Sequence, residues 1–226
     1  MEKVIVIIPA YNEARVIRTV VSDVKKYGYD VVVIDDCSRD ATHHYAQKAG
    51  AVVLRHHVNR GQGAALATGM EYALLQEADI VVTFDADGQH RAHEIQSVIT
   101  PIIKGEADVV LGSRFLGATQ DMSLSRGISL KVALLFTRLT TGLTLTDVHN
   151  GFRAFSQDAA VKIKISHNRM AHASEILDQI SQHKLRFTEV PVTIIYSSYS
   201  KQKGESSLKR IITTLSQIIL GKTFSK

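Results

Sequence analysis

The chain has 226 residues, with 27 lysines and arginines against 22 aspartates and glutamates, a formal excess of five positive charges. That length suits one domain with at most a small appendage, and 45% hydrophobic with 22% charged residues excludes chain-wide disorder. The modest basic excess fits an anionic partner, whether phosphate, membrane surface or nucleic acid, and the single cysteine, Cys37, excludes an intrachain disulfide and points to a reducing cytoplasm.

The first apolar run, Val4 to Ile8 in "KVIVII", is stopped by Pro9, too early for the core of a signal peptide. It reads as a strand, and "PAYNE" then opens a helix in which Val16, Ile17, Val20, Val21 and Val24 form one stripe; Asn12 could cap it. "DVVVID" repeats the pattern, with Ser38 or Asp40 as the cap after Asp35 and Asp36, and "AVVLR" is a third strand. "GQGAAL", Gly61 to Leu66, nearly matches a dinucleotide-binding fingerprint but lacks the third glycine, and the first strand ends in "PAYNE" instead; hydride transfer is therefore a poor reading.

The fourth run passes into "FDADGQH", where Asp85 and Asp87 stand two positions apart. If the strand lasts through Asp87, both carboxylates point to one face and repel. Either a polar strand end turns at Gly88, or a hard divalent cation such as Mg²⁺ or Mn²⁺ sits between the carboxylates. "ADVVLGSR" is the fifth run, ending at Arg114. Five β-branched runs alternating with helical patterns argue for an α/β sandwich with a mainly parallel sheet, whose ligands bind beyond the carboxyl ends of the strands. Asp35, Asp36, Asp85, Asp87 and Arg114 all fall there, so one cleft collects them.

Beyond Arg114, "GATQDMSLSRG" reads as a loop, Ile128 to Leu139 as an apolar helix, and "TTGLTLTDVHNGFRAF" as a turn-rich segment with a buried end. "RFTEVPVTIIY" is a late strand, placed by Pro191 at an edge or bulge. After the basic stretch "SSYSKQKGESSLKR", residues Leu208, Ile211, Ile212, Leu215, Ile218 and Ile219 form a helical stripe flanked by Lys209, Arg210, Lys222 and Lys226. The stripe either packs on the sheet or a second subunit, or lies on anionic lipid. No run of about 20 apolar residues is present to span a bilayer. The ten histidines show no zinc-ligand spacing with a third partner, and His90 follows the acidic loop closely enough to support it.

Taken in order, P-A-Y-N-E, D-D-C-S, N-R-G-Q-G-A-A, D-A-D-G-Q-H, G-S-R and T-D-V-H-N-G-F-R, from Pro9 to Arg153, resemble the inverting glycosyltransferases of family 2. The likeness is greatest to the polyprenyl-phosphate, dolichyl-phosphate mannosyltransferase-like branch. The resemblance implies a GT-A-type, Rossmann-like α/β sandwich over residues 1–200, with a nucleotide-sugar half (1–114) and an acceptor half (115–200). Residues 201–226 would then form a basic loop and an amphipathic C-terminal helix. It implies that Pro9, Tyr11, Glu13 and Asp36 line the nucleotide pocket, and that Asp85, Asp87 and Gln89 hold Mg²⁺ or Mn²⁺ on the donor diphosphate. Lys201 or Lys203 would reach that diphosphate, and Arg114 and Arg126 would grip an acceptor phosphate, for which a forked guanidinium is suited.

Asp147 is the carboxylate in position for a base. A sugar hydroxyl acceptor needs one, whereas a polyprenyl phosphate is already ionised and would leave Asp147 to organise the site. The partners implied are a UDP- or GDP-sugar, a polyprenyl phosphate, and a peripheral membrane contact or small membrane partner on the cytoplasmic face, without nucleic acid; a homo-oligomer stays open. A soluble transferase acting on a saccharide hydroxyl and a non-catalytic nucleotide-binding relative are the alternatives. Cys37, where the family commonly has glycine, and His149-Asn150, where small residues are usual, are departures from the family pattern.

Overall fold

The structure, a computed structural model, describes residues 2–117, the backbone of 119–120, and residues 142–148 and 150–196. Arg126, Lys201, Lys203, His149, the Ile128–Leu139 stretch and the C-terminal stripe lie outside the described residues. In chain order the elements begin with β1 (Val4–Ala10), α1 (Ile17–Lys25), β2 (Asp30–Asp35), α2 (Thr42–Lys48), β3 (Val52–Arg55), α3 (Gln62–Leu75) and β4 (Ile80–Thr83). There follow a 3₁₀ turn (Ala92–Glu94), α4 (Ile95–Ile103), β5 (Val109–Ser113) and β6 (Thr119–Gln120). The chain continues through β7 (Arg153–Ser156), α5 (Gln157–Lys162), α6 (His172–Gln182), β8 (Phe187–Pro191) and β9 (Ile194–Ile195).

Seven strands form one sheet in the order β3-β2-β1-β4-β7-β5-β8, and β6 pairs with β9. Every pairing is parallel except those of β7, which runs antiparallel to both β4 and β5. Four of the five β-branched runs are buried because helices cover both faces, while β3, at the sheet edge, is half-exposed. Val6, Ile8, Val33 and Val82 pack toward α1 and α4, while Ile7, Val32, Ile34 and Val81 pack toward α3 and α6. Gly69 lets α3 approach β1 closely, since a Cβ there would lie 2.3 Å from Ile7 Cγ2. Pro191 ends β8 at the edge of the sheet, where its missing N–H costs no ladder bond.

Three local expectations are corrected. β4 ends at Thr83 and the chain turns at Ala86–Asp87, so the two aspartates leave a loop and not an extended strand; Gly88, with φ +76°, completes that turn. Asn12 does not cap α1. It takes φ +55° and its Oδ1 accepts from Arg39 N–H at 2.9 Å, while Ser38 Oγ accepts from Asn12 N–H at 2.9 Å. Glu13 N–H and Ala14 N–H donate to Thr42 Oγ1 and Asp40 Oδ2 at 2.8 and 3.2 Å, so the loops after β1 and β2 form one cross-braced unit. The "GATQ" loop contributes β6.

Cys37 occupies the left-handed region at φ +63°, a conformation that glycine adopts without steric cost. A glycine there, which the family resemblance implies, would carry no such strain. Cys37→Gly is expected to raise Tm by about 1–3 °C, because relief of the left-handed strain outweighs the extra unfolded-state entropy. Cys37→Val, β-branched in the same conformation, should lower it. Thermal denaturation of both variants checks this; a lower Tm for the glycine variant would contradict it.

Candidate active site

The loops that follow β1, β2, β4 and β5 converge at the carboxyl ends of the strands. The loop before β7 reaches the same place from the other direction, because β7 is antiparallel. That reversal brings Gly151 beside Asp85, and the same loop carries Asp147 to Arg114.

Asp85 is held from three sides. Gln62, at the first position of α3, donates through Nε2 to Oδ1 at 3.1 Å, and His90 Nε2 lies 3.0 Å from Oδ2. Gly151 passes so close that a Cβ would lie 2.4 Å from Oδ2, and its carbonyl accepts from Thr83 Oγ1 at 2.7 Å. His90 is buried in turn against Phe84 and Phe152, with ring centroids 5.3 and 5.1 Å away. Burial acts to raise the Asp85 carboxyl, but the His90 hydrogen bond and charge, with His172 and Arg114 beyond, hold it below the ordinary carboxylate range. Asp87 goes the other way: burial and the Asp85 charge push it up to about 6. Its Oδ1 accepts from Gln89 N–H at 3.1 Å, which shapes the turn.

Two oxygen donors in opposed states, one ionised and one resisting ionisation through burial and its neighbour's charge, fit a hard divalent ion. Among the described residues no three His, Cys, Asp or Glu side chains converge into a closed metal cage. The two carboxylates would fit Mg²⁺ or Mn²⁺ with the rest of the shell supplied by substrate oxygens, the usual manner for Mg²⁺ at phosphate sites.

Asp36 sits at the end of β2, almost wholly buried. Its carboxylate accepts from Arg60 N–H at 2.9 Å and Gly61 N–H at 2.6 Å and lies 2.7 Å from His56 Nδ1, so it shapes the N-R-G-Q-G loop that presents Gln62. Pro9 is in β1 and Glu13 is buried in the braced loop, with Tyr11 exposed beside it. At the other end of the cleft, Arg114 donates through Nε to Asp147 Oδ2 at 2.5 Å, through its backbone N–H to the same oxygen at 3.1 Å, and through Nη1 to Tyr196 Oη at 2.8 Å. Arg114 and Asp147 are both buried, and although burial alone would lower the guanidinium, Asp147 and Tyr196 hold it above its ordinary value.

Glu189 of β8 accepts from Thr146 N–H and Asp147 N–H, fixing the loop that carries Asp147. Arg153 is buried behind it, donating to Asn150 O at 3.0 Å and Val148 O at 3.2 Å. Burial pushes its guanidinium down to about 10 despite the pull of Asp147 and Asp85.

Contacts thus link Asp85, Asp87 and Gln89 through Ile195 and Tyr196 to Arg114 and Asp147, and Asp36 shapes the loop that brings Gln62 to Asp85. Sequence reasoning passed over Gln62, Gly151, Glu189 and Tyr196. The paired glycines around Gln62 and the glycine following Asn150 were the available signals; Glu189 and Tyr196 carried none, because each acts through a contact remote in sequence.

The family model for Glycosyl transferase family 2 matches residues 5–164. The chain belongs to glycosyl transferase family 2. A UDP-N-acetylglucosamine–dolichyl-phosphate N-acetylglucosaminyltransferase of Methanococcus voltae is 34% identical, the match covering 88% of each chain. An undecaprenyl-phosphate mannosyltransferase of Micrococcus luteus is 28% identical over 91% of this chain and 87% of its own. An uncharacterised protein of Methanocaldococcus jannaschii is 36% identical over 99% of this chain and 93% of its own. Glucosyl-3-phosphoglycerate synthase from Mycobacterium tuberculosis, solved with Mn²⁺, uridine diphosphate and glucosyl-3-phosphoglycerate, superposes with a TM-score of 0.74 at 18% identity. The match covers 95% of this chain and 78% of that one, and confirms the GT-A fold of this glycosyltransferase.

Two predictions follow from the geometry of this family 2 enzyme. Gly151→Ala should displace the Asp85 carboxylate and lower kcat at least tenfold while far-UV circular dichroism stays unchanged; full activity would show that Asp85 need not be where it is. Asp87→Asn should abolish turnover yet stabilise the metal-free protein. The Asp87 carboxyl is raised on folding, so its contribution to stability is complete below about pH 4 and is lost as pH rises through about 6. The variant's advantage, of the order of 1–3 kcal/mol, should therefore appear in denaturant titrations at pH 8 and vanish at pH 4.

Proposed function

We propose that this glycosyltransferase moves a sugar, with inversion, from a UDP- or GDP-sugar onto a polyprenyl phosphate at the cytoplasmic face of the membrane. The observation that carries the acceptor assignment is the state of Asp147. The carboxylate positioned to act as a base is buried and paired with Arg114 Nε at 2.5 Å, an arrangement suited to holding a cation in place. A phosphate acceptor asks for cations and needs no base. The relatives named for dolichyl-phosphate and undecaprenyl-phosphate transfer support the same class.

In this reading an ionised phosphate oxygen of the acceptor supplies the electron pair that forms the new bond to the anomeric carbon. The bond from that carbon to the nucleoside diphosphate breaks with its pair, and the configuration inverts. Mg²⁺ or Mn²⁺, held by Asp85 and Asp87 with Gln89 as a third ligand, would supply positive charge where the diphosphate gains negative charge. Pro9, Tyr11, Glu13 and Asp36 form the nucleotide pocket, Asp36 acting through the loop it shapes. Arg114 and Arg126 bind the acceptor phosphate, and Lys203 reaches the donor diphosphate. The nucleotide-sugar half spans residues 1–114 and the acceptor half 115–200. The 201–226 segment, whose apolar stripe has basic flanks, provides the peripheral membrane contact. Among the described residues no helix is long and apolar enough to cross a membrane.

Incubation with a panel of UDP- and GDP-sugars, Mn²⁺ and undecaprenyl or dolichyl phosphate, followed by mass analysis of any glycolipid, identifies the donor and acceptor. With the acceptor so found, Arg126→Ala is expected to lower kcat/KM about tenfold to a hundredfold, the worth of one charge-assisted hydrogen bond. The pH profile should show no essential base. If instead Asp147→Asn leaves donor hydrolysis intact but removes about 10²–10⁴ from transfer to a sugar hydroxyl, the enzyme is a hydroxyl transferase and the lipid-phosphate assignment is wrong.

A further inference from the structure

The last described residues lie across the site and touch both of its halves. Val192 N–H donates to Ser113 O at 3.1 Å, directly before Arg114, and Gly117 leaves no room for a side chain against the Val192 backbone. Thr193 N–H donates to both carboxylate oxygens of Glu94, at 3.1 and 3.0 Å. Ile195 N–H donates to Gln89 O at 3.1 Å, which ties this segment to the loop carrying Asp87. Tyr196 is 4% exposed, and its hydroxyl accepts from Arg114 Nη1 at 2.8 Å. Two consecutive residues therefore hold the donor-side loop and the acceptor-side arginine.

The contact fixes Arg114 in a way Asp147 alone does not. A guanidinium bonded only through Nε can swing about that bond, whereas a second bond through Nη1 sets its plane. Nη2 makes no hydrogen bond among the described residues, which leaves it available to a ligand. We propose that Tyr196 is a positioning residue for the acceptor. Its hydroxyl sets the plane of Arg114 so that Nη2 meets an oxygen of the acceptor phosphate, and Ile195 ties that setting to the Asp87–Gln89 loop. The proposal rests on the reading that Arg114 binds an acceptor phosphate. A buried tyrosine whose hydroxyl merely found a partner would make the same bond without this consequence.

The experiment is a double-mutant cycle on the full-length chain, with undecaprenyl phosphate as acceptor and the nucleotide sugar selected by the panel. Tyr196→Phe removes one hydroxyl from a buried ring. It should raise the acceptor KM about tenfold while leaving the donor KM, donor hydrolysis and Tm near their original values. In the Arg114→Lys background, which keeps the charge but has no plane to orient, Tyr196→Phe should add nothing further. An unchanged acceptor KM in Tyr196→Phe, or an equal rise with and without Arg114, overturns the positioning role. If Arg114→Lys itself leaves the acceptor KM unchanged, the acceptor-phosphate reading of Arg114 fails and the proposal falls with it, an outcome distinguishable from failure at Tyr196 alone.

Discussion

Asp85 and Asp87 stand two residues apart in one loop, and the surrounding protein must answer their repulsion. It does so asymmetrically. Gln62 and His90 engage the two oxygens of Asp85 and keep it ionised, while Asp87, among the described residues, accepts only the turn N–H of Gln89 and carries the excess cost of its charge. Four parts of the chain are committed to this arrangement: the N-terminus of α3, the turn at Gly88, the aromatic pair Phe84 and Phe152 around His90, and the glycine at 151. Such a loop is poorly chosen for stability alone. Under the proposed metal role, that unfavourable charge would be relieved when a divalent cation binds.

A second charge arrangement is held with the same economy. Arg114 and Asp147 neutralise one another in the interior, Tyr196 gives the guanidinium a second anchor, and Glu189 fixes the loop beneath. Breaking such a pair by removing one member leaves a buried charge, so its geometry is held far more firmly than a surface ion pair would be. Arg153 extends the network inward, on the strand that reverses the sheet.

Much of this was legible in the residues. The β-branched runs named five strands of the sheet, because parallel strands covered on both faces must be apolar throughout. Pro191 announced an edge. The ordered motifs from Pro9 to Arg153 identified the family, and the positive φ of Cys37 shows why one departure from its pattern carries a strain. What could not be read was whatever depends on reversal or long-range pairing. β7 was hidden in a turn-rich segment because four residues, "RAFS", carry too little periodicity to announce a strand, yet its antiparallel insertion is what delivers Gly151 to Asp85 and Asp147 to Arg114. The extended geometry supposed for Asp85 through Asp87 failed because Ala86 and Asp87 turn, a preference set by Gly88 and the Gln89 N–H. Asn12 was taken for a cap because its residue type suits one; contact with Arg39 from the neighbouring loop decided otherwise.

Under the proposed function, Asp85 and Asp87 bind the donor diphosphate and a divalent cation together. Calorimetric titration of UDP and GDP into the protein, with Mn²⁺ and again in excess chelator, measures that coupling. One of the two nucleotides should bind at least tenfold more tightly with Mn²⁺, and Asp87→Asn should remove the difference while retaining the weak metal-free binding. Equal affinity in chelator and in Mn²⁺, or a metal effect that survives Asp87→Asn, would contradict it.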